Sequence, residues 1–223
     1  KDKLLMELIA YFMQRGHFDP KDISDDFSED LHETFLEMLD GQKRYFLKKD
    51  IAQFDRYKYA LDDEFRALQT SFFDLVYTRY LERRNETKSF YLEILAKPFD
   101  FNKKEEINVD YENQQYPSTL RSKVEKWRKQ LKLSTLNILH SKLEEEEKLA
   151  AKDESYVPKT FEVLEKEARE ITKENMENYF SLMEDVREED WFGSYLNAFV
   201  TQFDPHSVYF APVDKDRFDA SMS

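Results

Sequence analysis

The stretch Trp191-Phe-Gly-Ser-Tyr-Leu-Asn-Ala-Phe-Val-Thr-Gln-Phe203, followed by Asp204-Pro205-His206-Ser207-Val208-Tyr209-Phe210, decides how the chain is read. Trp191, Tyr195, Leu196, Phe199 and Phe203 recur at helical spacing, so one face of a helix is apolar. Pro205 biases Asp204 away from helical dihedrals and ends that helix. Asp204, His206 and Ser207 can each bond backbone groups freed at a helix end, while Val208, Tyr209 and Phe210 supply apolar weight to hold an exit turn against a core. Residues 1–203 are therefore expected to form one helical domain, and 204–223 an exit turn and linker.

Composition agrees with helices. The chain has 223 residues, 15% aromatic and 36% charged, with three Gly and six Pro. So few turn formers argue against an all-β fold and against a Gly-lined phosphate cradle. The expected class is mainly α, a multi-helix orthogonal or bundle-like domain with at most a small β-hairpin near 99–118. A net charge of −13 disfavours nucleic acid and anionic lipid, which are held chiefly by Lys and Arg. Without Cys there is no disulfide, thiolate metal site or cysteine nucleophile, and no apolar run approaches the roughly 18 residues of a membrane span. The chain opens at Lys1 without an initiator Met or signal peptide, and is expected to be an excised segment.

Outward from the exit turn, Leu4, Leu5, Leu8, Ile9 and Phe12 mark a first helix stopped near Gly16, and Leu31, Phe35, Met38 and Leu39 a second ended at Gly41. Tyr45, Phe46 and Leu47 are expected to plug the core. Asp50 is expected to cap a third helix whose seam runs Ile51, Phe54, Lys58, Leu61, Phe65 and Leu68. Thr70 to Lys97 reads as one long helix with a polar patch at Arg83–Lys88 and a potential break at Asn85. Ile107, Val109 and Tyr111 alternate with polar residues in a strand-like period. Ser122 and Glu125 have capping-box spacing before Val124, Trp127, Leu131, Ile138 and Leu143, and the acidic run Glu144–Glu147 reads as a solvated face. Pro158 is expected in the first turn of the next helix.

Chemistry is sparse. His32-Glu33-Thr34-Phe35-Leu36 places Leu36 where a zincin needs its second His, so no metal site is expected. His17 and His140 have no evident metal partners. His206 could act as a base, but neither a Gly-x-Ser-x-Gly elbow nor a Ser-x-x-Lys pair is present, so it is assigned to the turn. No catalytic residue and no cofactor are expected. The aromatics Phe54, Phe65, Phe73, Tyr77, Trp127 and Trp191 are core residues or the lining of a groove for an apolar peptide.

The stretch Asp204, Pro205, His206, Ser207, Tyr209 and Pro212, with Phe218 and Met222-Ser223, resembles the signature that precedes the PDZ domain in tail-specific, or carboxy-terminal processing, proteases of peptidase family S41. Three upstream blocks are similar to that family in order and spacing: Met38-Leu39-Asp40 and Tyr45-Phe46-Leu47 before Asp50; Arg83-Arg84 through Ile94-Leu95-Ala96-Lys97-Pro98-Phe99-Asp100-Phe101; and Ser122-Lys123-Val124 with Trp127 and Leu131-Lys132-Leu133. The resemblance implies the non-catalytic N-terminal helical domain of a periplasmic serine peptidase of the bacterial envelope, whose PDZ domain and Ser-Lys dyad lie elsewhere. Implied partners are those domains, protein substrates with apolar C-termini, and a helical-repeat lipoprotein adaptor. His140–Val157 does not align with the pattern. The competing expectation is a stand-alone helical peptide- or protein-binding module.

Overall fold

The computed structural model describes residues 2–17 and 21–210. Among them are eight α-helices: α1 (Asp2–Arg15), α2 (Asp25–Asp40), α3 (Lys48–Phe54), α4 (Leu61–Ala67), α5 (Ser71–Leu95), α6 (Leu120–Lys152), α7 (Phe161–Asp185) and α8 (Glu188–Thr201). The described residues contain no strand, and the fold is the expected mainly α, multi-helix one.

The main core is built where α8 packs against α2, α4 and α5. Phe199 stacks on Phe65 with ring centroids 4.1 Å apart and meets Phe27 edge-on at 5.1 Å. Tyr195 meets Phe35 at 4.9 Å, and Phe192 meets Phe73 at 5.0 Å. The last helix thus fills a space bounded by the first half of the chain. Tyr45, Phe46 and Leu47 are buried between α2 and α3 as the plug expected.

Local chemistry moves several boundaries. Asp50 is the third residue of α3, and its carboxylate accepts the Leu47 N–H at 2.9 Å. The expected seam from Ile51 to Leu68 is interrupted by a 3-10 turn, Asp55–Tyr57, because Lys58 leaves the apolar face to reach Glu29 at 2.7 Å and Glu33 at 3.1 Å. Leu68 ends α4 in the left-handed conformation (φ 52°). The box opening α6 lies one turn earlier than expected: Thr119 Oγ1 accepts the Ser122 N–H at 3.1 Å and Ser122 Oγ accepts the Thr119 N–H at 3.0 Å. Glu125 instead pairs with Arg128. α5 is unbroken at Asn85, since its polar patch turns inward: Arg83, Arg84 and Thr87 are buried.

α1 is apolar nearly all round, so its spacing alone did not choose the packed side. Met6 is buried, with Leu5, Ile9, Ala10 and Met13 against the core, whereas Leu4, Leu8 and Phe12 of the expected stripe are exposed. The 99–118 segment is an extended strap. Its backbone carbonyls are taken by lysines instead of a second strand: Lys132 donates to Asp100 O (2.5 Å), Lys129 to Glu106 O (2.9 Å) and Lys43 to Glu112 O (2.6 Å). Within the alternating stretch the Tyr111 N–H turns back to Val109 O, and no ladder forms there.

α6 and α7 run antiparallel, with Thr135 bonded to Thr172 and Lys142 to Glu167. Their far ends carry a small second core of Leu139, Leu164 and Ala168. The acidic run is not all solvated: Glu146 is buried and accepts the Tyr156 hydroxyl (2.8 Å) and the Lys159 N–H (2.9 Å), closing the turn into α7. That turn contains Pro158, so α7 starts at Phe161.

Phe199 is fully buried and touches three aromatic rings, whereas Trp191 is half-buried. Phe199→Ala is expected to cost about 3–5 kcal/mol and Trp191→Ala less, read from urea midpoints. Equal midpoints for wild type and Phe199→Ala would contradict this packing.

Candidate functional site

The exit turn begins where α8 is tied to α2. Lys21 Nζ donates to Gln202 O at 2.6 Å, and Gln202 Nε2 donates to Thr34 Oγ1 at 2.9 Å. Phe203 is buried beside Phe27 and Phe199. The chain then folds over Asp204, whose carboxylate accepts the His206 N–H (3.0 Å) and the Ser207 hydroxyl (3.1 Å), while its carbonyl accepts the Ser207 N–H (3.0 Å). The His206 N–H, followed by the Ser207 hydroxyl, holds Asp204 below the usual carboxylate range against some desolvation. His206 is exposed and enters the turn through its backbone.

Asn197 on α8 then clamps Tyr209 twice: its Oδ1 accepts the Tyr209 N–H at 2.7 Å and its Nδ2 donates to Tyr209 O at 3.1 Å. Tyr209 packs on the core, but Val208 and Phe210 are exposed, so one of the three expected apolar pins reaches it. The clamp spans the turn and holds the Tyr209 backbone against α8. Pro212, Phe218 and Met222 of the signature lie outside the described residues.

A buried ionic network braces the helices that support this face. Asp50, fully buried, accepts Arg83 Nε (2.7 Å) and Nη2 (2.9 Å) and is also bonded by Arg79. Arg83 continues to Glu86 at 3.0 Å, and the fully buried Lys123 donates to Glu86 Oε2 and Arg83 O, each at 2.9 Å. Burial pushes the Asp50 carboxyl up, but Arg83, the Leu47 N–H and Arg79 bring it below the ordinary range; burial pushes Lys123 down against the pull of Glu86. Local patterning missed this network because the bonds that join its helices link residues 29 to 40 positions apart. It joins α3, α5 and α6, and its polar groups are spent on one another.

Asp40 does a similar task alone. At the end of α2 its buried carboxylate accepts the N–H groups of Arg44, Tyr45 and Phe46 at 2.7–2.9 Å, shaping the plug. Burial pushes it up to about 6, against those three donors.

The aromatics named from sequence sit in the core. Phe54, Phe65, Phe73 and Trp127 are buried, and Tyr77 and Trp191 are half-buried against the same cluster. Trp127 donates to Arg44 O at 2.8 Å, and Arg44 lies over its ring at 4.6 Å. Among the histidines, His140 is exposed and pairs with Glu144, His17 lies 6.1 Å from the Phe203 ring, and His32 is buried against Phe72. Leu36, at the zincin position, is a buried core residue. Among the described residues, no group of three His, Asp or Glu side chains could hold a metal ion, and no helix is long and apolar enough to cross a membrane.

Residues 9–213 match the family model described as the tail specific protease N-terminal domain. The chain is also similar to the tail-specific protease of Haemophilus influenzae, at 24% identity over 212 residues. That similarity covers 95% of this chain and 28% of the relative's length, so the chain spans less than a third of that relative.

Asp50→Ala strands Arg83 in the interior and is expected to cost about 3–5 kcal/mol of stability; a urea midpoint equal to that of the wild type would remove the brace. Asn197→Ala acts locally. Amide exchange at Tyr209 is expected to rise roughly tenfold or more while the urea midpoint barely moves, and unchanged exchange would show that the clamp does not hold the turn.

Proposed function

Because the chain belongs to the tail specific protease N-terminal domain family, we propose that it is the non-catalytic scaffold of a carboxy-terminal processing serine peptidase. In this reading it holds the domain that follows at a fixed angle and leaves the chemistry to it. The observation that carries the proposal is the exit turn: Asp204 closes it, Asn197 clamps Tyr209, and Lys21 and Gln202 tie its root to α2. A segment serving only as a tether would not need a backbone bonded on both sides of the turn.

The parent protein in this proposal contains a PDZ domain and a Ser-Lys dyad, acts in the periplasm, and cleaves protein substrates with apolar C-termini. A helical-repeat lipoprotein adaptor is a further proposed partner. The ionic brace supports the positioning role, since a scaffold must resist the load of a moving substrate. Its polar groups already bond one another and the backbone, which fits a structural use.

The test is cleavage of an unfolded reporter with an apolar C-terminus by the parent protein, by this chain alone, and by the parent carrying Asn197→Ala with Asp204→Ala. The expected results are efficient cleavage by the parent, none by this chain, and a kcat/KM roughly tenfold lower for the double variant, a loss of about 1.4 kcal/mol of transition-state stabilisation. Cleavage by this chain alone would overturn the non-catalytic assignment. Full activity in the double variant would overturn positioning and favour a stand-alone binding module.

A further inference from the structure

A groove of about 250 Å³ lies between the strap and α6, with Glu105 and Ile107 on one side and Lys129, Lys132, Leu133 and Leu136 on the other. The α6 residues share one helix face, because their spacing follows the helical repeat. That face is not closed over: Leu133 is half-buried and Leu136 is 42% exposed. Phe101 also lines the groove, but Lys132 already covers its ring at 5.5 Å.

The second observation is the backbone of the strap. Glu105 and Ile107 are half-buried and alternate with the exposed Lys104, Glu106 and Asn108, so the strap lays one face on α6 and turns its peptide groups sideways. Among the described residues, no backbone N–H from Lys103 to Asn108 is hydrogen-bonded, and of their carbonyls only that of Glu106 is, to Lys129 at 2.9 Å. These groups form an unpaired edge beside an exposed apolar face. Such an edge is a template for another strand.

Charge selects what can lie there. Glu105 is spent on Arg128, Lys132 (2.7 Å) and Lys103 (3.1 Å). Among the described residues, neither Lys104 nor Lys129 has a carboxylate within ion-pair distance; Glu125, which feels the charge of Lys129, is bonded to Arg128. A chain of net charge −13 thus keeps two ammonium groups uncompensated at this groove. Lysines on an edge deter basic and wholly apolar strands and favour an acidic one.

We propose that the groove takes an extended polypeptide segment of another protein in which apolar and acidic residues alternate. Its backbone pairs with the strap edge between Lys103 and Asn108, and its apolar side chains cover Leu133 and Leu136. Its carboxylates meet Lys104 across the pair, with Lys129 adding to the positive field. The partner is defined by that pattern, and the site does not depend on the protease reading.

A fluorescein-labelled peptide amide, Glu-Val-Glu-Val-Glu-Val-Glu, is titrated with the 223-residue chain at about 0.15 M salt. The net charge of the chain opposes general attraction of this peptide, so binding reports a local site. Glutamine in place of glutamate is expected to weaken binding roughly tenfold or more. Two further peptides carry backbone N-methyl groups, one on its valines and the other on its internal glutamates. Alternate residues of an added strand face its neighbour, so one of the two should bind roughly tenfold more weakly or worse and the other within about threefold of the unmethylated peptide. Lys104→Glu with Leu136→Asp changes two exposed side chains; it should keep the wild-type urea midpoint and weaken binding roughly tenfold or more. Lys173→Glu with Leu182→Asp makes the same charge change at exposed positions of α7 and should leave the affinity within about twofold. No binding of the first peptide, equal binding of the glutamine peptide, equal effects of the two methylation patterns, or equal losses in the two double variants would overturn the proposal.

Discussion

The structure depends on the aromatic face of α8. Phe192, Tyr195 and Phe199 are all buried, and they meet rings from α2, α4 and α5, so the core of the first half of the chain is completed by its end. Burial of large aromatic side chains is the strongest apolar contribution available to a chain with this composition. The helix that closes the core also carries the turn closed by Asp204 and clamped at Tyr209.

Around that core a set of buried ions fixes how the helices lie along one another. Taking Asp50, Arg83 and Lys123 out of water is costly, and their mutual bonds offset the cost only in one geometry. Moving α5 along its axis would break the paired bonds of Arg83 to Asp50 and the bond of Lys123 to Glu86. Asp40, Asp50, Arg83, Lys123 and Trp127 all fall in the sequence blocks that resemble the tail-specific proteases. Those blocks supply the Asp50–Arg83–Lys123 brace and the Asp40 carboxylate that shapes the plug.

Much of this was legible in the sequence, for reasons of range. Helices came from apolar spacing within a few turns, and the exit turn from Pro205 and the side chain of Asp204, whose partners are two and three residues away. The brace was invisible to local patterning, because Arg83 in a polar patch reads as solvated until Asp50 arrives from a distant helix. The 99–118 segment is a loop within the expectation of at most a small hairpin, but nothing between those residues announces that lysines of α6 will take some of its carbonyls. α1 was ambiguous because apolar residues surround it, so only its contacts with α4 and α8 select the Met6 side.

The most direct test of the account removes α8. Urea unfolding of residues 1–187 is compared with that of the full chain, following aromatic near-ultraviolet circular dichroism and far-ultraviolet helicity together. If α8 completes the core, the shortened chain loses its aromatic signal and its cooperative transition while keeping partial helicity. A cooperative transition at the full chain's midpoint, with the aromatic signal intact, would show that the first seven helices close their own core and that the exit turn is an appendage.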